Sequence, residues 1–327
     1  MSFAYNANAI ALGGRIVLPS PTIIQSQAAT TLAPTGGEGR ETIRDFDYNG
    51  IVKFKEASVY VTGSQHGDGF NTLSTVSITK LSVLNVLSVD LLFGSITSSH
   101  QKGAVDGEGA ITFQGTSVEN LRINGKLIDP RFNHSFYARY PTHKTMVAGM
   151  NENVAVSKCP EVKFWLDEEV EKRKAKGGQN FDAQTCRTEL GRLKVADLVA
   201  DRFCLPDSGV PDNHSPIHCS LADDIPGVEE ISPEDEARIS ADNIPGFANM
   251  SQEEATKATK EYLGQHYPTR RYGYVVRVAG FGTIKLAEII IKPGERRLNM
   301  FRLEFGCPIT GDMTVGSTST NGTELIP

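Results

Sequence analysis

Apolar runs rich in β-branched residues recur in the N-terminal half of the chain, and one of them alternates apolar and polar residues, which is the pattern of a β-strand with one buried face. The strand candidates are residues 9–18, 51–62 and 73–97. In the second candidate the alternation changes phase at Glu56, which predicts a bulge or a bend. The third carries Val and Ile at both parities, which predicts a long strand that is buried on both faces.

Turn chemistry adds one hairpin and one loop to this half of the chain. The pair Asn124-Gly125 stands between two short apolar stretches, and both residues accept the positive φ angles of a two-residue type I′ turn. We therefore expect a β-hairpin over residues 121–128. Residues 20–42 are rich in Thr, Ala, Gln, Pro and Gly, and they predict a loop or linker.

The segment between residues 159 and 270 has a helical texture. Apolar side chains in residues 162–170 fall on one helical face, and Gly177 follows as a stop signal. Ser251 and Glu254 form a capping box for a later helix. Residues 205–231 hold Pro, Asp, Gly and Asn in quantity and predict a loop.

Strand texture returns in the last part of the chain. Residues 272–278, 283–292 and 297–305 predict a three-stranded meander, with a turn at Pro293-Gly294. The tail after Gly316 is rich in Ser, Thr, Asn and Gly, and we expect it to be mobile unless it pairs with another segment. The predicted fold is mainly β, a β-sandwich or distorted barrel with a helical insertion. In this interpretation residues 1–158 and 271–327 form one β domain, and residues 159–270 form the insertion.

Composition places the chain among ordinary globular proteins. It has 327 residues, of which 39% are hydrophobic and 22% charged, and its net charge is −6. An acidic chain without a long basic run predicts no nucleic-acid partner. The N-terminal segment has no basic region before its apolar run, which Arg15 interrupts, and no window approaches the roughly 20 apolar residues of a membrane span. We therefore expect a cytoplasmic protein, with export by another route left open.

One motif suggests a divalent cation. Asp45, Asp47 and Asn49, followed by Gly50 and by Glu56, have the spacing of an EF-hand calcium loop. Calcium prefers oxygen ligands, and a glycine lets alternate side chains converge on the ion. An EF-hand also needs a helix on each side, whereas strand residues follow here. Two interpretations remain at this point: a Ca²⁺ site at these residues, or a polar strand start.

The cysteines leave three alternatives open, namely free thiols, disulfides and a zinc site. There are five, and four of them fall between residues 159 and 219, where His214 and His218 also lie. Zinc sites usually bring their ligands in close pairs such as C-x₂-C, and this chain has no such pair. An odd number without a signal peptide favours free thiols. The cysteines are Cys159, Cys186, Cys204, Cys219 and Cys307.

No catalytic motif is present, and the nearest candidate for binding chemistry is an aromatic and basic stretch. There is no G-x-S-x-G elbow, P-loop or H-E-x-x-H sequence. His134 and His143 flank an aromatic stretch that could stack on a sugar or a base. An amphipathic strand has the same composition. The stretch contains Phe136, Tyr137, Arg139, Tyr140 and Lys144.

Several short sequence segments in the two β-rich parts of the chain resemble those of a known family. They are Asn6-Ala7-Asn8-Ala9, Leu12-Gly13-Gly14-Arg15, residues 31–37, Leu84-Asn85-Val86-Leu87, residues 115–125, Gly280-Phe281-Gly282 and residues 296–302. With these segments the chain resembles a family of bacterial hypothetical proteins without assigned activity, distantly similar to choice-of-anchor β-rich surface proteins. The resemblance implies a β fold with a variable helical insert. It implies no catalytic or binding residues.

These observations favour a non-enzymatic structural or interaction protein that self-assembles into a homo-oligomer. Strands that are apolar on both faces and polar ends that can exchange with a neighbouring copy support this hypothesis. The alternative is a ligand-binding module for a carbohydrate or a divalent cation. It depends on the spacing from Asp45 to Glu56 and on the aromatic stretch. An enzyme of a type without a recognised motif stays open, because catalytic groups are defined in space.

Overall fold

The computed structural model describes residues 2–18, 20–102, 108–146, 217–230, 269–272, 274–278, 281–306 and 309–325. The helices predicted within residues 162–177 and 251–264 lie outside the described residues. The strands of the N-terminal part are β1 (Ser2–Leu18), β2 (Thr22–Thr31), β3 (Gly37–Tyr48), β4 (Val52–His66), β5 (Gly69–Val83), β6 (Leu87–Gln101), β7 (Ala110–Thr112), β8 (Ser117–Glu119), β9 (Leu121–Ile123), β10 (Lys126–Ile128) and β11 (Arg131–Phe132). Helix α1 (His134–Arg139) follows, and then come β12 (Ile217–Ser220), β13 (Ala222–Asp224), β14 (Glu229–Glu230), β15 (Thr269–Tyr272), β16 (Val275–Val278), β17 (Gly282–Lys292), β18 (Glu295–Phe305) and β19 (Thr310–Leu325).

The long strands form two separate sheets that pack face to face. Sheet A has the order β14-β15-β16-β17-β18-β19-β1-β2, with β12 also paired to β17. Sheet B has the order β10-β9-β6-β5-β4-β3, with β7 and β8 also paired to β6. Strands β11 and β13 form a small third sheet. The mainly β fold is confirmed, and the structure shows the sandwich of the two architectures that the sequence left open.

The first and last strands, β1 and β19, lie side by side near the β2 edge of sheet A. Strands β1 and β19 pair antiparallel from Ser2 opposite Leu325 to Leu18 opposite Thr310. Ala7, Ala9 and Ala11 of β1 are fully buried, and these small side chains let sheet B approach closely. The Ser74 hydroxyl of β5 donates to the Asn8 carbonyl oxygen of β1 at 2.7 Å, which links the two sheets directly.

A row of residues with positive φ crosses each sheet and creases it. In sheet B the row contains Asp45 and Lys80, with φ of 52° and 53°. Strand β4 lies between them, and its buried positions change parity between Phe54 and Ala57. The phase change predicted at Glu56 is therefore confirmed, and the pairing register of β4 is the same on both sides of it, so there is no bulge. Because a residue with positive φ locally disrupts the ladder, it redirects the side chains that follow.

Sheet A has an equivalent crease, and at Gly316 it packs closely against sheet B. Ala28 of β2, Gly316 of β19 and Ala287 of β17 have φ of 44°, 66° and 45°. Their strands keep register on either side of these positions. A Cβ on Gly316 would lie 2.8 Å from Leu92 Cδ2 of sheet B. Glycine is therefore required at this position both for its φ angle and for the close approach of the sheets.

Two local predictions are confirmed and one is wrong. Strands β9 and β10 form the hairpin predicted at Asn124-Gly125, and β17 and β18 form the hairpin predicted at Pro293-Gly294. Residues 73–97 are not one strand. They belong to β5 and β6, which are joined by a turn at Leu84 and Asn85 with positive φ at both. The apolar Leu84 conceals this turn, and in each strand one face is buried and the other half-buried.

Three segments that the sequence predicts as loop or mobile tail contain strands. Residues 20–42 include β2 and the first half of β3, and the tail after Gly316 belongs to β19 between β18 and β1. Within the predicted loop of residues 205–231, the described part includes β12, β13 and β14. Strand β2 forms a hairpin with the preceding β1, and β3 forms one with the following β4. Strand β19 pairs with β1 and β12 pairs with β17, both distant in sequence, so tertiary context overrides weak local propensity there.

Candidate functional site

The four calcium candidates lie on the hairpin formed by β3 and β4. Asn49 and Gly50 have φ of 50° and 69°, and the Ile51 amide donates to the Tyr48 carbonyl oxygen at 2.9 Å. This is the geometry of a type I′ turn. Asp47 closes the turn, because its Oδ1 accepts the Gly50 amide at 2.8 Å.

Glu56 already has a cationic partner. Its Oε2 accepts Arg44 Nε at 2.7 Å across the two strands, and this hydrogen bond raises the pKa of Arg44. Strands flank the motif on both sides, whereas an EF-hand loop has helices there. No group of three or more His, Cys, Asp or Glu side chains suited to a metal ion occurs in the described part of the chain. A cation at Asp45, Asp47, Asn49 and Glu56 stays a prediction, and the ion would have to compete with Arg44 and with the Gly50 amide.

The aromatic stretch folds as a short helix, so the interpretation as an amphipathic strand is wrong. Helix α1 begins after Asn133, whose side chain accepts the Phe136 amide at 3.0 Å. Tyr137 is buried, and its hydroxyl donates to the Ser220 carbonyl oxygen of β12. The Phe136 ring packs against Tyr137 and Tyr140 with centroid distances of 5.1 and 5.3 Å. Because these rings pack on one another, they form a core cluster.

The two histidines and the one described cysteine lie near this cluster. His134 is half-buried beside Phe132, while His143 and Cys219 are buried. Cys219 lies on β12, opposite Ile289 of β17. Four of the five cysteines fall outside the described residues, so the choice among thiols, disulfides and zinc stays open.

A buried arginine that the sequence analysis missed stands at the centre of this cluster. Arg296 of β18 is 1% exposed, and its guanidinium donates to the carbonyl oxygens of Ile111 and Tyr140. Its Cζ lies 5.9 Å from the centroid of the Phe113 ring. Burial lowers the pKa of Arg296 to about 10, which leaves the group charged at neutral pH. Arg296 therefore connects sheet A to the loop segments around β7 and α1.

The exposed apolar surface concentrates at the end of the β1–β2 hairpin. Val17, Leu18 and Ile23 are 45%, 51% and 76% exposed, and we call these three residues the apolar tip. Ile23 lies opposite Arg15, and Arg15 Nε contacts Asp312 Oδ1 of β19 at 2.5 Å. The apolar tip is therefore bordered by one cation and one anion, both largely exposed.

The two edge strands next to each other at this side of the sandwich differ in charge. Among the described strands, β2 is the last of sheet A and β3 the last of sheet B. Strand β2 has no charged residue, while β3 has six, namely Glu38, Arg40, Glu41, Arg44, Asp45 and Asp47. Charged side chains protect an edge strand from pairing with another chain. Strand β3 carries such charges along its own length, and β2 carries none.

Within the described residues, no helix has the length and apolar character needed to cross a membrane. No curated protein and no solved structure matches the chain. Residues 3–251 match a family described as Domain of unknown function (DUF8256). The matched part is more than half of the 327 residues, which supports the resemblance to an uncharacterised family. On this match, the chain belongs to the DUF8256 family.

Proposed function

We propose that this protein is a non-enzymatic structural protein that self-associates through the apolar tip and the neighbouring edge of β2. The observation that carries the proposal is the contrast between the two edge strands. Six charged residues stand on β3 and none on β2, beside three exposed apolar side chains. An uncharged edge strand next to exposed apolar side chains is a template for association.

A second copy of the same chain is the partner that this surface favours. A two-fold arrangement places one copy's apolar tip against the other's, which buries Ile23 on both sides. At the border, Arg15 and Asp312 supply one charge of each sign. A two-fold axis can therefore bring the Arg15 of one copy near the Asp312 of the other without opposing like charges.

A substitution at the most exposed residue of the apolar tip tests the proposal. Burying an isoleucine side chain stabilises by about 1.5–3 kcal/mol, so Ile23→Glu is expected to weaken self-association by roughly tenfold or more. Sedimentation velocity over a range of protein concentrations measures this directly. The native chain is expected to show a concentration-dependent shift toward a dimer, and Ile23→Glu to remain monomeric.

Leu127→Glu is the matched control, because Leu127 is 52% exposed but lies on β10 of sheet B. It is expected to associate as the native chain does. A native chain that stays monomeric at all concentrations contradicts self-association. Equal weakening by both substitutions contradicts the assignment to the apolar tip.

A further inference from the structure

His100 lies where both ends of the chain pack on sheet B. It is a residue of β6, it is 6% exposed, and it stands opposite Phe70 of β5. Its ring centroid is 5.0 Å from that of Phe3, near the start of β1. The Phe3 ring in turn stacks on Phe70 at 4.3 Å. The imidazole therefore completes an aromatic cluster that holds the beginning of β1.

Backbone from two further segments encloses the other side of the imidazole. A Cβ on Gly322 of β19 would lie 3.3 Å from His100 Nε2, and a Cβ on Gly109 would lie 2.3 Å from it. Gly322 stands opposite Tyr5 in the pairing of β1 with β19. One side chain of sheet B thus contacts the outer part of both terminal strands.

The imidazole has no polar partner for Nε2 among the described residues. Thr72 and Ser98 lie two positions from Phe70 and His100 on β5 and β6, respectively. Their hydroxyl groups and that of Thr320 form hydrogen bonds with one another. These three hydroxyl groups are hydrogen-bonded within their own cluster, and His100 Nε2 has no hydrogen-bond partner among the described residues. A neutral ring tolerates this environment, whereas an imidazolium would carry a buried charge and a buried unsatisfied donor.

No titratable group on the described segments around His100 forms a hydrogen bond with its Nε2. Strand β1 contributes Tyr5, whose pKa is raised by burial. The segment before β7 contributes Glu108, whose Oε2 accepts the Lys144 amide at 3.3 Å. The residues of β5 and β19 near His100 are Phe70, Thr72 and Thr320, and none of these side chains titrates. Burial alone lowers the pKa of His100.

We propose that His100 is a pH-sensitive latch whose neutral imidazole holds the outer ends of β1 and β19 against sheet B. Protonation of the ring releases these ends and leaves the rest of the sandwich folded. The folded-state pKa lies below the unfolded value of 6.5. The stabilisation is therefore complete above about pH 6.5 and falls as the pH drops toward the folded-state pKa, since the unfolded form binds the proton more readily.

Hydrogen exchange of the native chain at about pH 7.5 and about pH 5, corrected for intrinsic exchange rates, tests the latch across the range in which histidine titrates. We expect amides in residues 3–7 and 319–324 to lose protection at the lower pH by roughly tenfold or more, while β4 and β5 stay protected. In His100→Gln the protection of these ends is expected to be independent of pH. His66→Gln is the matched control, because His66 is exposed at the end of β4, and it is expected to respond as the native chain does.

Equal protection at both pH values in the native chain overturns the proposal, and so does a full pH response in His100→Gln. An NMR titration of the native imidazoles gives a second measurement that needs no variant. His100 is expected to titrate below 6.5 and together with the loss of protection at the chain ends. Titration at or above 6.5 overturns the proposal even if His100→Gln does not fold.

Discussion

The Glu41 carboxylate of β3 accepts a hydrogen bond from the backbone amide of Ala29 on β2, with an Ala29 N to Glu41 Oε2 distance of 2.7 Å. This contact crosses from the charged edge of sheet B to the uncharged edge of sheet A. It occupies an amide that points away from β1, so Glu41 covers one position at which another strand could pair with β2. In the part of β2 nearer the apolar tip, the Gln25 carbonyl oxygen accepts Gln27 Nε2 of the same strand at 2.9 Å.

Removal of this cover is expected to strengthen self-association. Glu41→Ala exposes the Ala29 amide, and one added backbone hydrogen bond contributes about 0.5–1.5 kcal/mol. The dimerisation constant from sedimentation is therefore expected to rise by up to about tenfold. Glu38→Ala, which removes a charge of the same sign from the same strand, is the control. Equal effects of the two substitutions would show that net charge and not the amide is responsible.

Arg296 is expected to be a major contributor to stability. Arg296→Met leaves the carbonyl groups of Ile111 and Tyr140 without their donor and removes the cation from the face of Phe113. We expect a loss of about 3–5 kcal/mol in the free energy of unfolding, by analogy with the loss of one partner of a buried polar contact. Urea denaturation measures this loss. The neighbouring Arg297 is exposed, so Arg297→Met is expected to change stability by less than about 0.5 kcal/mol.

Alanine substitutions at two glycines with similar φ angles distinguish two contributions to the loss of stability. One is the cost of a left-handed backbone, and the other is the cost of a steric clash. Gly316 and Gly125 have φ of 66° and 76°, but only Gly316 has neighbours where a Cβ would lie. Gly125→Ala is expected to cost about 1–2 kcal/mol, the cost of a left-handed alanine. Gly316→Ala is expected to cost at least about 1 kcal/mol more, because Leu92 and Met300 must move. Equal losses in urea denaturation would contradict the close packing of Gly316 against Leu92 of sheet B.

Calcium titration tests the motif on the β3–β4 hairpin. A bound ion has to take Glu56 from Arg44, so Arg44→Ala is expected to bind Ca²⁺ more tightly than the native chain in calorimetry. Because both side chains of the Arg44–Glu56 ion pair are exposed, the affinity for Ca²⁺ is expected to rise by no more than about tenfold. If neither the native chain nor Arg44→Ala releases or absorbs heat on addition of Ca²⁺, the prediction of a cation site is wrong. The double variant Arg44→Ala with Glu56→Gln is the control for Ca²⁺ binding elsewhere on the protein.

The features that could be predicted from sequence are those that neighbouring residues determine. The turn at Asn124-Gly125 and the phase change at Glu56 depend on a few adjacent residues, and both are confirmed. The strand nature of β2 and β19 could not be predicted, because their Thr, Ser and Ala residues show no clear alternation. Both strands pair with β1, which is adjacent to β2 in sequence but at the other end of the chain from β19. The turn at Leu84 was missed because an apolar residue at this position fits the pattern of a continuous buried strand.

The same distinction explains which parts of the candidate sites were missed. The sequence shows that residues 22–31 lack charge and that residues 37–48 are charged, but only the sheet order shows that both are edge strands. Arg296 beside Arg297 looks like a solvated basic pair, although strand alternation places it with the buried Leu298 on the inner face. Its partners Ile111 and Tyr140 come from distant segments, so the burial of Arg296 depends on the tertiary fold.

Hydrogen exchange at low and high protein concentration tests the proposed self-association most directly, because it reports on the edge of β2 itself. The account predicts that amides in residues 22–27 gain protection as concentration rises, while amides on the charged edge strand β3 do not change. This gain should be absent in Ile23→Glu. Exchange in residues 22–27 that does not depend on concentration, in a range where sedimentation shows dimers, would contradict the assignment of the interface to the apolar tip and β2.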